Sequence, residues 1–220
     1  MSAVSYARQS GIVSQETLTR PLAIIGAGGI GSFTALTIAK MGYEGPITVY
    51  DDDTIDPVNL PNQFYRLGDV GRDKVTALQD IVKEFADREL RVSNSRLDQL
   101  PIFAEIVVLA VDSMDTRIRL WRSLTADHQC RFVVDGRMGG ESLRLYTIDR
   151  QRADHVALYE AQLYSSEQAT PLRCTERAVI YNVTIIAGLI ANQVKRLSMG
   201  QPYQAEILLH LGSLSLIMNS

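Results

Sequence analysis

The 220-residue chain reads as an α/β fold, with a mostly parallel sheet, helices on both faces and antiparallel strands toward the carboxyl end; three observations predict it. Short apolar runs such as Leu22 to Ile25 and Ile106 to Val111 alternate with segments whose apolar residues recur at helical spacing, as in strands buried on both faces and joined by crossover helices. A glycine-rich turn, Gly26-Ala27-Gly28-Gly29-Ile30-Gly31, links the first such run to the first helical segment. From Ser142 to Ile148 the apolar residues alternate with polar ones instead, the pattern of a half-exposed antiparallel strand.

Taken in order, the strand Leu22 to Ile25 ends in the glycine turn, and Ile30 to Met41 follows as a helix. Gly26 permits the tight turn, Gly28 lets the backbone approach a phosphate, and Gly31 lets helix pack closely on strand, while the helix amino terminus points N–H groups at an anion. The next strand delivers Asp51, 20 residues after Gly31, where a carboxylate accepts hydrogen bonds from ribose hydroxyls. This is a Rossmann-like arrangement that NAD and ATP fit equally, the plainer alternative being a turn that only packs. From Asp53 to Arg66 the chain is polar and irregular, because Pro57, Pro61, Asn59 and Asn62 prevent a regular element. A helix from about Arg72 to Ala86 carries Lys74 in its first turn, where a cation opposes the dipole by roughly half a kcal/mol unless an anion neutralises it. Lys74 is therefore placed for phosphate, a solvated lysine being the alternative.

The short strand Leu90 to Ser93 and the buried strand Ile106 to Val111 come next, then Asp112 and a helix from Thr116 to Leu124. Arg131 to Asp135 is another buried strand, Gly136 to Gly140 reads as a turn, and Asp149 to Arg173 is polar and weakly periodic. A long helix from about Thr175 to Leu197 and a β segment from Glu206 to Met218 complete a single domain over residues 1–220, undivided by repeat or linker. Gly26, Asp51, Asp112 and Asp135 all end or follow strands, so they are expected to converge on one crevice.

The run from Asp51 to Lys74 resembles the ThiF/MoeB/HesA family of adenylating enzymes, which includes the adenylation domains of ubiquitin-activating enzymes. Asp51, Asp53, Ile55, Asn59, Leu60, Gln63, Val70, Gly71 and Lys74 match its pattern in order and spacing. Tyr6-Ala7-Arg8-Gln9 resembles an upstream family segment, and Asp112 with Arg117 a downstream one, so the resemblance covers about residues 4 to 197. Asn62 stands where the family has an arginine, for which Arg66 or Arg72 is a substitute, and Ser113 where it has an asparagine. The resemblance implies ATP-dependent adenylation of the carboxy-terminal carboxylate of a ubiquitin-like or sulfur-carrier protein ending in Gly-Gly. It gives Asp51 to the ribose, Asn59, Gln63 and Lys74 to the phosphates, and Arg8 to the triphosphate of a neighbouring subunit in a homodimer. Asp112 is the metal candidate, since a carboxylate beside a triphosphate holds Mg²⁺; capping the following helix is its alternative role. Cys174, between Arg173 and Arg177 and leading into a helix, has the setting of a reactive thiol and resembles the family's acyl-accepting cysteine, the alternative being that of MoeB-like members, which carry a cysteine here yet stop at the adenylate. Three other functions stay open: an inactive binding subunit, which Asn62 favours; activation of a small molecule or tRNA base; and an NAD-dependent oxidoreductase, which leaves Asn59 to Lys74 unexplained.

Composition narrows the classes. A net charge of -3 provides no general attraction to nucleic acid, and the most apolar segment, Val179 to Val194, is too short and polar for a membrane span. The amino terminus lacks the basic and apolar regions of a secretory leader, so a cytoplasmic location with reduced Cys130 and Cys174 is expected. No Cys-x-x-Cys pair is present to build a structural zinc site.

Overall fold

The computed structural model describes residues 4–95, 103–126, 129–164 and 179–219. Its elements run β1 (Leu22–Ile25), α1 (Gly29–Lys40), β2 (Ile47–Tyr50), α2 (Lys74–Ala86), β3 (Arg91–Ser93), β4 (Ile106–Leu109), α3 (Met114–Ala126), β5 (Phe132–Gly139), β6 (Ser142–Asp149), α4 (Ala153–Glu160), α5 (Ile180–Ser198), β7 (Glu206–His210) and β8 (Ser215–Asn219). The strands make one eight-stranded sheet in the order β3-β2-β1-β4-β5-β6-β7-β8. Pairing is parallel from β3 through β5 and antiparallel from β5 onward, as the sequence predicts.

Every residue of β1 and β4 is buried because helices cover both faces of the sheet there. One face packs Leu22, Ile24, Val108 and Val134 against α1, α2 and α5 through side chains such as Ile38, Leu78, Ile186 and Ile190. The other packs Ile25, Leu109 and Val133 against α3 and α4 through Leu120, Trp121 and Tyr159. Each such Leu or Ile contributes about 1.5–3 kcal/mol of burial. The chain leaves β1 toward β2 on one side and returns to β4 on the other, so the strand order switches between β1 and β4. In open α/β sheets, ligands bind in the crevice outside the carboxyl ends of the strands at such a switch point.

Three segments differ from expectation. The polar stretch after Asp149 contains α4, whose buried residues are His155 and Tyr159, one helical turn apart; two anchors are too few to show as periodicity. The expected turn from Gly136 to Gly140 is mostly strand: β5 pairs with β6 as far as Gly139 opposite Ser142, and Gly140, at φ +57°, begins the reversal. The closing β segment is a hairpin, β7 with β8, in which every residue of β8 is exposed. The expected start of the long helix at Thr175 lies outside the described residues; α5 begins at Ile180. Among the described residues no helix is long and apolar enough to cross a membrane.

Candidate active site

The glycine turn tolerates no side chains where the strand order switches. Gly26 has φ +95°, and a Cβ there would lie 2.6 Å from the Ala110 carbonyl oxygen. A Cβ on Gly31 would lie 1.8 Å from the Gly26 carbonyl oxygen, so α1 rests directly on the turn. Gly28 is the residue before the first helical one, and a Cβ on Gly29 would meet the Asn62 carbonyl oxygen at 2.9 Å. At the end of β2, Asp51 accepts hydrogen bonds from the N–H groups of Ala27 (2.6 Å) and Asp53 (2.9 Å). Burial pushes the Asp51 carboxyl up from its ordinary range, against those two donors and Lys74, which pull it down. A carboxylate offers about four acceptor positions, so two N–H bonds leave room for a hydroxyl partner.

The polar stretch after Asp53 folds back over this turn. The Tyr65 hydroxyl donates to the Ala27 carbonyl (2.6 Å), the Phe64 N–H donates to Ser32 Oγ (3.0 Å), and the Phe64 ring sits edge-on to Phe33 at 5.0 Å. Asn59 Oδ1 accepts the Asp56 N–H (3.0 Å) in a local cap, so that oxygen is committed to its own turn. Gln63 Oε1 is buried without a hydrogen-bond partner, and Gln63 Nε2 is 3.9 Å from the Cβ position of Gly28. Lys74, at the start of α2, is buried and pairs with exposed Asp53 at 2.6 Å, so its charge opposite the helix dipole is neutralised by a carboxylate. Arg66 and Arg72, the two candidates to replace an arginine at Asn62, both converge on buried Asp69 at 2.9 and 2.7 Å, with Glu84 and Asp80 as outer partners. Burial pushes the Asp69 carboxyl up, and the two guanidiniums more than reverse it.

Across the crevice, Asp112 is exposed in the loop after β4. Ser113 Oγ accepts the Thr116 N–H at 3.3 Å, so Ser113 rather than Asp112 caps α3. Buried Arg117 donates from Nη2 to the Val111 carbonyl (2.7 Å) and from Nε to Asp135 (2.8 Å). Asp135, wholly buried on β5, also receives Arg137 Nε (2.7 Å) and the Tyr159 hydroxyl (2.9 Å). Burial alone would raise its carboxyl, but Arg117 and Arg137 hold it below the usual range.

Thus the fold brings Gly26, Gly28, Gly29, Gly31, Asp51, Asp53, Gln63 and Lys74 together around one turn and sets Asp112 on the neighbouring loop. Arg8 is elsewhere. It is exposed in a short helical turn whose neighbours Gln9 and Tyr6 anchor at Met41 and Gly42, the far end of α1 from the glycine turn. Cys174, with Arg173 and Arg177, lies outside the described residues. Sequence reading missed Arg137 and Tyr159: the first lies in the segment read as a turn, the second in the stretch read as polar and weakly periodic. The spacing of Asp135 and Arg137, two apart on a strand and hence on one face, was the available signal. It also missed that ligand atoms of Asp51, Asp52 and Asp53 lie within 4.8 Å of one another, close enough to share a cation.

The ThiF family model matches residues 7–217. Ubiquitin-like modifier-activating enzyme 5 of Caenorhabditis elegans is 26% identical over 133 residues, covering 58% of this chain and 32% of the relative. The Caenorhabditis briggsae protein of that name is 23% identical over 127 residues, 50% of this chain and 29% of the relative. This chain therefore spans about a third of the length of these curated relatives. Among solved structures, PaaA superposes with TM-score 0.73 at 18% identity, over 94% of this chain and 65% of its own. E. coli MccB solved with ATP superposes with TM-score 0.69 at 15% identity, over 94% and 64%. The glycine turn, the folded-back stretch from Asp51 to Lys74 and the loop bearing Asp112 all fall inside the matched span, and the chain belongs to the ThiF family.

Proposed function

We propose that this chain is an adenylyltransferase that binds ATP with Mg²⁺ in the crevice and activates the carboxy-terminal carboxylate of a ubiquitin-like or sulfur-carrier protein ending in Gly-Gly. One observation carries the reading: the stretch from Asp53 to Arg66 packs over the glycine turn, and buried Lys74 pairs with Asp53, two residues beyond Asp51. A dinucleotide oxidoreductase uses the turn and Asp51 and has no need of that lysine. The relatives support the same chemistry, one by the name of a modifier-activating enzyme and one by having been solved with ATP.

In this reading the substrate carboxylate forms a bond to the α-phosphorus of ATP as the bond to pyrophosphate breaks. The residues supply charge and position rather than a strong base. Asp51 accepts from the ribose, and Asn59, Gln63 and Lys74 face the phosphates, Lys74 exchanging Asp53 for phosphate oxygen. Asp112 is a hard oxygen donor not committed to the helix cap, which fits it to hold Mg²⁺; the ion neutralises phosphate charge when bound. Arg8 serves the triphosphate of the second subunit of a homodimer. Cys174 then takes the acyl group as a thioester while AMP leaves. The cytoplasm, where thiols stay reduced, is the proposed location.

A second reading, a nucleotide-binding subunit without catalysis, is favoured by Asn62 together with the engagement of both Arg66 and Arg72 by carboxylates. Calorimetric titration tests the nucleotide class common to both. ATP with Mg²⁺ is expected to bind at least about a hundredfold more tightly than NAD, the scale of several lost charge contacts. Tighter binding of NAD contradicts both readings.

A further inference from the structure

Two guanidiniums, Arg117 and Arg137, face the single carboxylate of Asp135, which is 0% exposed. Arg117 uses its other two nitrogens on the Val111 carbonyl and Met114 Sδ. Arg137 does not use all of its own: Nε reaches Asp135 and Nη1 reaches the Gln162 carbonyl (2.9 Å), while Nη2 is buried with no hydrogen-bond partner. Its guanidinium carbon lies 4.7 Å from the Tyr146 ring centroid and 5.4 Å from that of Tyr159. Tyr159 adds no negative charge, because burial raises its hydroxyl well above the ordinary range. The flanking Arg144 is 3.8 Å from Glu206, which balances that pair. The cluster therefore holds one surplus positive charge and one unsatisfied guanidinium nitrogen, against an aromatic wall.

The cluster adjoins the proposed phosphate site. Asp135 is in register with Leu109, the last residue of β4, so Arg137 stands at the level where that strand gives way to the Asp112 loop. Arg117 ties the two together by holding the carbonyl of Val111, the residue before Asp112. A single surplus charge with one open guanidinium nitrogen, which carries two N–H groups, suits a planar monoanion. A phosphate, carrying about -1.5 to -2, calls for more donors.

We infer that Arg137 is the residue that binds the substrate's attacking carboxylate, holding it beside the Asp112 loop; the assignment rests on the adenylation reading above. No cofactor is needed to test it. Trp121, the chain's one tryptophan, lies 4.7 Å from the Tyr159 ring, so its emission reports on the cluster. The probes are a synthetic pentapeptide ending in Gly-Gly with a free carboxylate, its carboxamide twin and inorganic phosphate, each titrated without nucleotide. The free acid is expected to change Trp121 emission saturably and to bind at least about tenfold more tightly than the amide. Arg137→Gln should remove that preference, and Arg137→Lys, which keeps the charge and serves if the first variant misfolds, should weaken it about tenfold, while ATP affinity stays within about twofold. Equal response to acid and amide, no response to either at millimolar concentration, phosphate binding as tightly as the acid, or an intact preference in both variants overturns the assignment. Failure of the adenylation reading is distinguishable, since it appears as absence of ATP–pyrophosphate exchange in the unaltered protein, which these titrations do not require.

Discussion

Lys74 and Asp135 are both ion-paired, yet burial assigns them opposite roles. Removing the Lys74 charge leaves Asp53 with its side chain 67% exposed, where water resolvates it, and the pair contributes at most about 1 kcal/mol to stability. Lys74→Met, which keeps the buried stem, is therefore expected to shift urea unfolding by no more than about 1 kcal/mol and to weaken ATP binding at least about tenfold. Asp135 has no such escape. Asp135→Asn leaves Arg117 and Arg137 buried against a neutral amide and should cost about 3–5 kcal/mol. Because its folded-state pKa is depressed below the ordinary 3.8, the Asp135 carboxylate stabilises the fold fully above that value, and the contribution is lost as pH falls through the lower folded-state value. Urea unfolding of wild type and Asp135→Asn should thus differ most near neutrality and begin to converge as pH falls below about 3.8 toward the lower folded-state value. A gap that persists undiminished in acid would contradict the charge pairing.

The glycine turn shows how an element can demand a residue for different reasons at different positions. A methyl at Gly31 would sit 1.8 Å from a backbone oxygen that cannot move without displacing α1. Gly31→Ala should therefore cost at least about 2–3 kcal/mol and abolish nucleotide binding. At Gly140, with φ +57° and nothing within 4 Å of where a methyl would sit, alanine should cost only about 1–2 kcal/mol and leave binding intact. The same distinction explains what the sequence made legible. β1, α1, β2 and β4 carry their signal in contiguous apolar runs and glycine spacing, and they emerged where expected. α4 did not, because His155 and Tyr159 become a buried face only when β6 and β5 present Asp149 and Asp135 to them. The Arg137 cluster was illegible for the same reason: its members come from α3, β5 and α4, and only the β4–β5 register places them beside Asp112. Asn59 and Gln63 were readable as a motif, while the local cap that occupies the Asn59 oxygen was not.

At the scale of the molecule, α1 separates Arg8 from the crevice of its own chain: the Arg8 segment is anchored at Met41 and Gly42, and a helix of 12 residues spans about 18 Å. A role for Arg8 at a triphosphate is therefore a role across an interface. Mixing Arg8→Ala with Asp112→Ala subunits should restore part of the activity that each lacks, since one hybrid site regains both groups; no recovery despite proven subunit exchange removes Arg8 from the site. The claim on which the rest depends is that the crevice adenylates a carboxylate, and pyrophosphate exchange measures it. With Mg²⁺ and a Gly-Gly-ended carrier protein, labelled pyrophosphate is expected to appear in ATP, and Asp112→Ala should slow its appearance at least about a hundredfold, the scale of one lost electrostatic group. A protein that binds ATP yet transfers no label with any ubiquitin-like or sulfur-carrier partner, or an Asp112→Ala variant with undiminished exchange, would contradict it.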